Sequence, residues 1–167
     1  MKVIAPFVPT PRIVAVEMLK LAKVRSGEYV VDPGCGEGNI LFVASEIFNA
    51  IAIGIEIRGD LVARCLHRIL EKGLVGKVYV IHGDLFDFNY GIADVVTLYL
   101  LPSMLEILSE KLARELREGS RVVAHDFPLP KWKPVEVIEV TSPLRRHRIY
   151  LYRVPESLPS TYSSSEP

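Results

Sequence analysis

Three carboxylates and a glycine-rich turn carry the clearest chemistry in this sequence. The run Val30-Val31-Asp32-Pro33-Gly34-Cys35-Gly36-Glu37-Gly38-Asn39-Ile40 joins a β-branched segment to a helical one. Glycines there allow a tight turn and let a ligand approach the backbone closely. Glu56 closes the next apolar run, and Asp84, after Gly83, closes the one that follows. Each acidic residue therefore ends a predicted strand. In an open α/β sheet those strand ends border one ligand crevice.

The spacing narrows the ligand. A dinucleotide loop needs GxGxxG, but here Asn39 stands where the third glycine would fall. A phosphate loop needs a Lys after its glycines, and none follows. Asp32 and Glu37 put negative charge at the turn, which repels phosphate and suits a cation. S-adenosylmethionine fits this description: it has a sulfonium, an ammonium and an adenosine, and no phosphate. Gly34, Cys35, Gly36, Gly38 and Asn39 are the expected cradle. Asp32 faces the ammonium side, Glu56 takes the ribose hydroxyls at close to the usual spacing of about 20 residues, and Asp84 accepts from the adenine amino group. S-adenosylhomocysteine would be the product. Any one of these residues alone makes an ordinary turn; their arrangement in order is what points to a cofactor.

The elements that must position them alternate. Thr10-Pro11 predicts a helix start, with Thr10 as cap, and an apolar stripe runs from Ile13 to an end near Ser26-Gly27. Strands are predicted at 29–31, 51–55, 78–81, 95–101 and 121–124, and helices at 39–48, 60–72 and 104–116. The strands are continuous apolar runs, as in a parallel sheet covered on both faces. Residues 135–140 and 147–154 read as a terminal antiparallel pair. The expectation is an α/β, Rossmann-like seven-stranded sheet, mostly parallel, in one domain over 1–154. Its arm and first helix, 1–27, would lie over the cofactor. The Ser- and Pro-rich stretch 155–167 is expected to be a disordered tail.

Composition agrees with one soluble enzyme domain. The chain has 167 residues, 49% hydrophobic and 24% charged, with 20 basic and 20 acidic side chains. Zero net charge argues against a strongly basic nucleic-acid binder. No apolar run approaches the roughly 18 residues of a membrane span. Pro6 and Pro9 interrupt any signal-peptide core. Cys35 and Cys65 form no CxxC pair and no His cluster has ligand spacing, so no metal site and no disulfide are expected. Reduced thiols suit the cytoplasm. The absence of Gln, with only three Asn, hints at a thermophile.

Phe7-Val8-Pro9-Thr10-Pro11, the DPGCGEGNI loop, Gly54-Ile55-Glu56-Ile57, Gly83-Asp84-Leu85-Phe86 and Val95 to Leu101 follow in order. Leu112 to Glu115, Gly119 to Phe127 and Trp132 come after them. Together these resemble the small archaeal protein-lysine methyltransferases of broad specificity, which are class I S-adenosylmethionine-dependent enzymes. They are also similar to the mitochondrial lysine methyltransferases of eukaryotes. The likeness spans roughly residues 5–153. It implies methyl transfer to exposed lysines of several proteins; a monomer is the expectation, though no motif here bears on it. It also implies Val8 and Thr10 as a lid, Ile57 and Leu85 as further cofactor contacts, and Tyr99 as the substrate-facing, catalytic candidate. Pro33 stands where the family usually has Leu, and Phe7 where it often has Tyr.

Methyl transfer to an amine requires donor and acceptor in line at about 3 Å. The amine must be neutral, against a reference pKa of ~10.4; an apolar channel favours the neutral form, so no dedicated base is expected. Leu100-Leu101-Pro102-Ser103 replaces the Asn/Asp-Pro-Pro-aromatic motif of base and amide methyltransferases. An RNA or small-molecule methyltransferase, or a non-catalytic cofactor-binding subunit, are the alternatives. His125-Asp126 ends the fifth strand at the border of the acceptor site, a structural role being the favoured reading for His125; Phe127 and Trp132 line the channel or, the favoured reading, pack on the terminal strands; Arg145-Arg146-His147-Arg148 reads as a solvated turn.

Overall fold

The computed structural model describes residues 7–160. One seven-stranded sheet organises them: β1 (Tyr29–Pro33), β2 (Ile51–Glu56), β3 (Val78–His82), β4 (Val95–Leu98), β5 (Arg121–His125), β6 (Glu136–Thr141) and β7 (Arg146–Arg153). Their order across the sheet is β3-β2-β1-β4-β5-β7-β6. β1 to β5 are parallel, while β7 runs antiparallel to both β5 and β6. Strand order reverses between β1 and β4, where the chain turns from building one half of the sheet to the other. Such a reversal opens a crevice at the carboxyl ends of the strands.

Helices α1 (Arg12–Leu21), α2 (Asn39–Phe48) and α3 (Gly59–Glu71) cover one face, and α4 (Pro102–Glu115) covers the other. Alternate residues of one strand serve opposite faces. Val30 packs with Met18, Leu41 and Phe42, while Val31 packs with Leu98, Leu105 and Leu112. This is why the central strands read as unbroken apolar runs.

The sequence expectations need four adjustments. First, α1 stops at Leu21, and Lys23 takes a left-handed conformation (φ 53°) just beyond. Second, Thr10 does not cap α1: Pro11 precedes the helix without a side-chain cap, and the Thr10 hydroxyl is engaged elsewhere. Third, β4 leaves the sheet after Leu98, its last pairing partner being Ala124 of β5, which frees Tyr99 and Leu100 to turn into the crevice. Fourth, the segment expected as tail from Pro155 is packed as far as Leu158. Ser157 is buried, its N–H donates to the Arg153 carbonyl, its hydroxyl accepts from the Arg153 N–H, and its carbonyl accepts from Lys133 N–H. Residues 161–167 lie outside the described residues. Cover is also incomplete at the β3 edge. Only a short 3-10 turn, Tyr90–Ile92, lies between β3 and β4, and Tyr79 and Ile81 are 48% and 42% exposed.

Candidate active site

A cavity of about 430 Å³ opens at the carboxyl ends of the strands, within the range typical of small-molecule sites. The glycine turn forms its floor by folding back on β2. The N–H groups of Gly34 and Cys35 both donate to the Ile55 carbonyl, at 2.7 and 3.1 Å. Gly54 must be glycine because a Cβ there would run into Cys35 Sγ and Leu41. Gly36 holds φ 59°, and a Cβ on it would come within 2.6 Å of the Phe7 ring. The arm therefore lies directly on the loop, and any larger residue would push it away.

Glu56 ties the loop to the strand end. It is 7% exposed, and its two oxygens accept from the N–H groups of Gly36 and Arg58, at 2.8 and 2.9 Å. Asp32 is 5% exposed and accepts the Thr97 hydroxyl at 2.8 Å. Burial, reinforced by the nearby charge of Glu56 and opposed by the Thr97 hydrogen bond, pushes its pKa up to about 7. A buried carboxylate with a neutral partner is a place for a cation. Asp84 accepts from the Phe86 N–H at 2.9 Å, which turns the chain back over the cavity.

Of the thirteen residues singled out from the sequence, all but one line this cavity: Tyr99, Val8, Thr10, Asp32, Gly34, Cys35, Gly36, Asn39, Glu56, Ile57, Asp84 and Leu85. Gly38 is the exception. It precedes α2 in a left-handed conformation (φ 97°), and its Cβ would meet Cys65 and Phe42. Its place is in the turn, behind the wall. Asn39 borders the cavity, yet its side-chain oxygen accepts from Arg68 at 2.8 Å.

Tyr99, expected to face the substrate, lines the other side, and what backs it was not legible along the chain. Tyr99 stacks on His125, ring centroids 3.9 Å apart, and Phe127 continues the stack. His125 is fully buried. Its Nδ1 meets the Thr10 hydroxyl at 3.2 Å and its Nε2 meets His147 Nδ1 at 2.7 Å. His147 Nε2 in turn meets Ser142 Oγ at 2.8 Å. Burial lowers the His125 pKa to about 4, with His147 and Arg145 adding to the effect and Asp126 opposing it.

The basic run is thus no simple solvated turn. His147 is buried, and Arg145 makes two hydrogen bonds to the Asp126 carboxylate, at 3.2 and 2.7 Å, while reaching the Tyr99 hydroxyl at 3.4 Å. Burial alone would raise Asp126, but Arg145 brings it below its ordinary value. Burial and the Asp126 charge raise the Tyr99 phenol, so it stays protonated at neutral pH. His125, Asp126 and His147 bring one donor atom each within 4.8 Å of one another. These atoms are engaged already, the imidazoles with each other and Asp126 with Arg145.

The residues fit S-adenosylmethionine. Two buried carboxylates and apolar side chains from Phe7, Leu85 and Phe86 suit a cation bearing hydroxyls and an aromatic base. Among the described lining residues there is no Lys, and Arg58 is paired with Asp60.

Comparison with known proteins gives the same direction. Residues 32–136 match the family described as the ANTKMT methyltransferase domain. The chain is 40% identical over 152 residues to a protein-lysine N-methyltransferase of Saccharolobus islandicus, covering 90% of this chain and 94% of that one. It is 34% identical over 151 residues to the adenine nucleotide translocase lysine N-methyltransferase of Mus musculus, of which it spans 63%. Among solved structures it is similar to an RNA methyltransferase from Salinibacter ruber in complex with S-adenosylhomocysteine. There the TM-score is 0.85 and the identity 37%, covering 92% of this chain and 97% of that one.

Proposed function

The chain belongs to the ANTKMT methyltransferase domain family, and from that membership we propose that it is a protein-lysine N-methyltransferase acting on exposed lysines of several proteins. S-adenosylmethionine is its methyl donor and, when bound, supplies a methyl carbon activated by a sulfonium. Asp32 would hold the ammonium of that donor, Glu56 the ribose hydroxyls and Asp84 the adenine amino group. Glu56 is already oriented by two backbone N–H groups, so little reorganisation accompanies binding. Phe7, Val8 and Thr10 close the cavity from the arm and exclude water.

The acceptor side supports a neutral amine. Tyr99 presents a flat uncharged surface backed by His125, and the nearby charges of Asp126 and Arg145 neutralise each other. An amine stem lying along such a wall is disfavoured as ammonium. Positioning then supplies most of the rate. The observation that carries the reading is the 40% identity over 90% of the chain to a protein-lysine N-methyltransferase. No helix among the described residues is long and apolar enough to cross a membrane. That, with the reduced buried thiols Cys35 and Cys65, supports a cytoplasmic enzyme working on cytoplasmic proteins. No feature described here calls for a second copy of the chain, and we read it as a monomer.

RNA is the second reading, favoured by the likeness to the RNA methyltransferase from Salinibacter ruber. Against it stand the zero net charge and the Leu100-Leu101-Pro102-Ser103 segment. Incubating the enzyme with labelled S-adenosylmethionine and a whole-cell lysate separates the two. Label lost on protease treatment and retained after RNase supports protein. The reverse pattern overturns the protein reading.

A further inference from the structure

The side chains that join the cavity to the β6–β7 turn form one continuous line of hydrogen bonds, and its direction can be worked out from its far end. Ser142 Oγ donates to the Arg145 carbonyl at 3.2 Å. We assign the Ser142 proton to this carbonyl, a group that can only accept. Ser142 must then accept from His147, which places the His147 proton on Nε2. His147 Nδ1 is therefore bare and accepts from His125, whose proton lies on Nε2. That leaves His125 Nδ1 bare, and the Thr10 hydroxyl donates to it. Both imidazoles are neutral, in keeping with the lowered pKa of each. Thr10 has turned its own proton away from the cavity it lines. Its oxygen lone pairs are what remain for an occupant.

Building on the lysine reading above, we propose that Thr10, His125, His147 and Ser142 are the exit route for the proton that the substrate ammonium must lose before it can accept a methyl group. The ammonium N–H bond breaks as a Thr10 O–H bond forms. The former Thr10 proton passes to His125 Nδ1, the His125 Nε2 proton to His147 Nδ1, and the His147 Nε2 proton to Ser142 Oγ. The former Ser142 proton leaves to solvent from the β6–β7 turn, where Ser142 is 7% exposed. One proton leaves the amine, one reaches solvent, and each side chain ends neutral. Afterwards the line points the other way, and rotation of the hydroxyls with exchange of the imidazole protons restores it. Concerted passage avoids a buried imidazolium, which burial disfavours here. The charged and titratable groups facing His125 are Asp126 on its own strand end, with an oxygen 3.6 Å from Nε2, His147 of β7, Arg145 of the turn and Tyr99 after β4. Thr10 would be the catalytic residue, touching substrate; the histidines and Ser142 act through it.

The test is the pH profile of kcat in His147→Phe, which keeps a ring but breaks the line, and in Ser142→Ala. The substrate is a purified protein labelled in the lysate assay. At pH 7 His147→Phe should lose roughly 10- to 100-fold in kcat, the lower part of what acid–base catalysis contributes. The loss should shrink toward nothing near pH 10, where lysine arrives already neutral. KM for S-adenosylmethionine should not change. Ser142→Ala should show the same trend with a smaller loss. A loss of equal size at every pH overturns the proposal and makes the line structural. Should His147→Phe fail to melt cooperatively, Ser142→Ala decides, and a flat deficit or none there overturns the proposal. Wild-type enzyme that places no methyl on lysine at any pH would instead sink the lysine reading, before any variant is made.

Discussion

The two walls of the cavity are built on opposite electrostatic plans. The wall from β1, β2 and the turn after β3 carries Asp32, Glu56 and Asp84, and its carboxylates are held largely by backbone N–H groups. The opposite wall presents Tyr99 and Leu100 after β4 and Met104 of α4, and behind Tyr99 the buried His125 and His147 are joined by side chains alone. A sulfonium donor and its ammonium need fixed negative charge, whereas an amine that must attack needs surroundings that do not favour its protonated form. On the proposed reading, a single cavity would meet both demands by keeping them on different walls.

Breaking the acidic wall should have the largest effect. Asp32→Asn keeps the shape and the Thr97 contact but removes the charge. Affinity for S-adenosylmethionine should fall roughly 10- to 100-fold, the worth of a hydrogen bond to a charged group, as read by calorimetry. The wild-type affinity should itself weaken as pH drops below about 7, because Asp32 must ionise to receive the cation. In Asp32→Asn that dependence should flatten. An unchanged affinity would mean that the cation lies elsewhere.

The second effect is geometric. Gly36→Ala strains a left-handed residue and collides with Phe7. It should displace the arm and raise KM for the cofactor about 10-fold, with thermal stability lowered by roughly 1 kcal/mol or more. A variant with normal KM would show that the arm does not close on the loop.

A smaller effect separates the walls by pH. Asp32 keeps its proton in the folded chain up to about pH 7, whereas an unfolded Asp releases it near pH ~3.9. Its contribution to stability therefore falls as pH rises between those values. His125 does the reverse. It stays neutral in the fold down to about pH 4, while an unfolded His takes a proton near pH ~6.5, so its contribution rises with pH across that window. Without cofactor, Asp32→Asn should melt a few degrees above wild type at pH 8, and the gap should close toward pH 4. The deficit of His125→Gln should narrow as pH falls toward 4. Parallel curves would contradict the assigned protonation states.

Smallest of all is Tyr99→Phe. The Tyr99 hydroxyl reaches Arg145 at 3.4 Å and faces the Asp126 carboxylate that Arg145 already neutralises, so removing it should change kcat less than about threefold, while Tyr99→Ala should cost at least tenfold by removing the stacked wall. Equal losses in both would mean that the hydroxyl, not the ring, matters.

The acidic wall could be read from the sequence because its signals are local. Each carboxylate ends its own apolar run, and the glycine spacing lies within a few residues of Asp32. Tyr99 on the other side was named from the resemblance, but its backing could not be read because those contacts are distant: Thr10 reaches across most of the chain to His125, and antiparallel pairing of β5 with β7 brings His147 beside it. One signal was present. In Arg146-His147-Arg148-Ile149-Tyr150-Leu151 the inward face of a strand includes His147, Ile149 and Leu151, which marks His147 as buried among exposed arginines. The runs of charge on either side masked that alternation. The Thr10 cap failed for a related reason: a local rule was overridden by a partner 115 positions away.

The most direct measurement is residue-level mass spectrometry of a lysate treated with wild-type enzyme and isotope-labelled S-adenosylmethionine, with Asp32→Asn as the control. The account predicts labelled methyl groups on lysine side chains of several proteins, strongly reduced in the variant. Label confined to nucleotides or to a small molecule would contradict it.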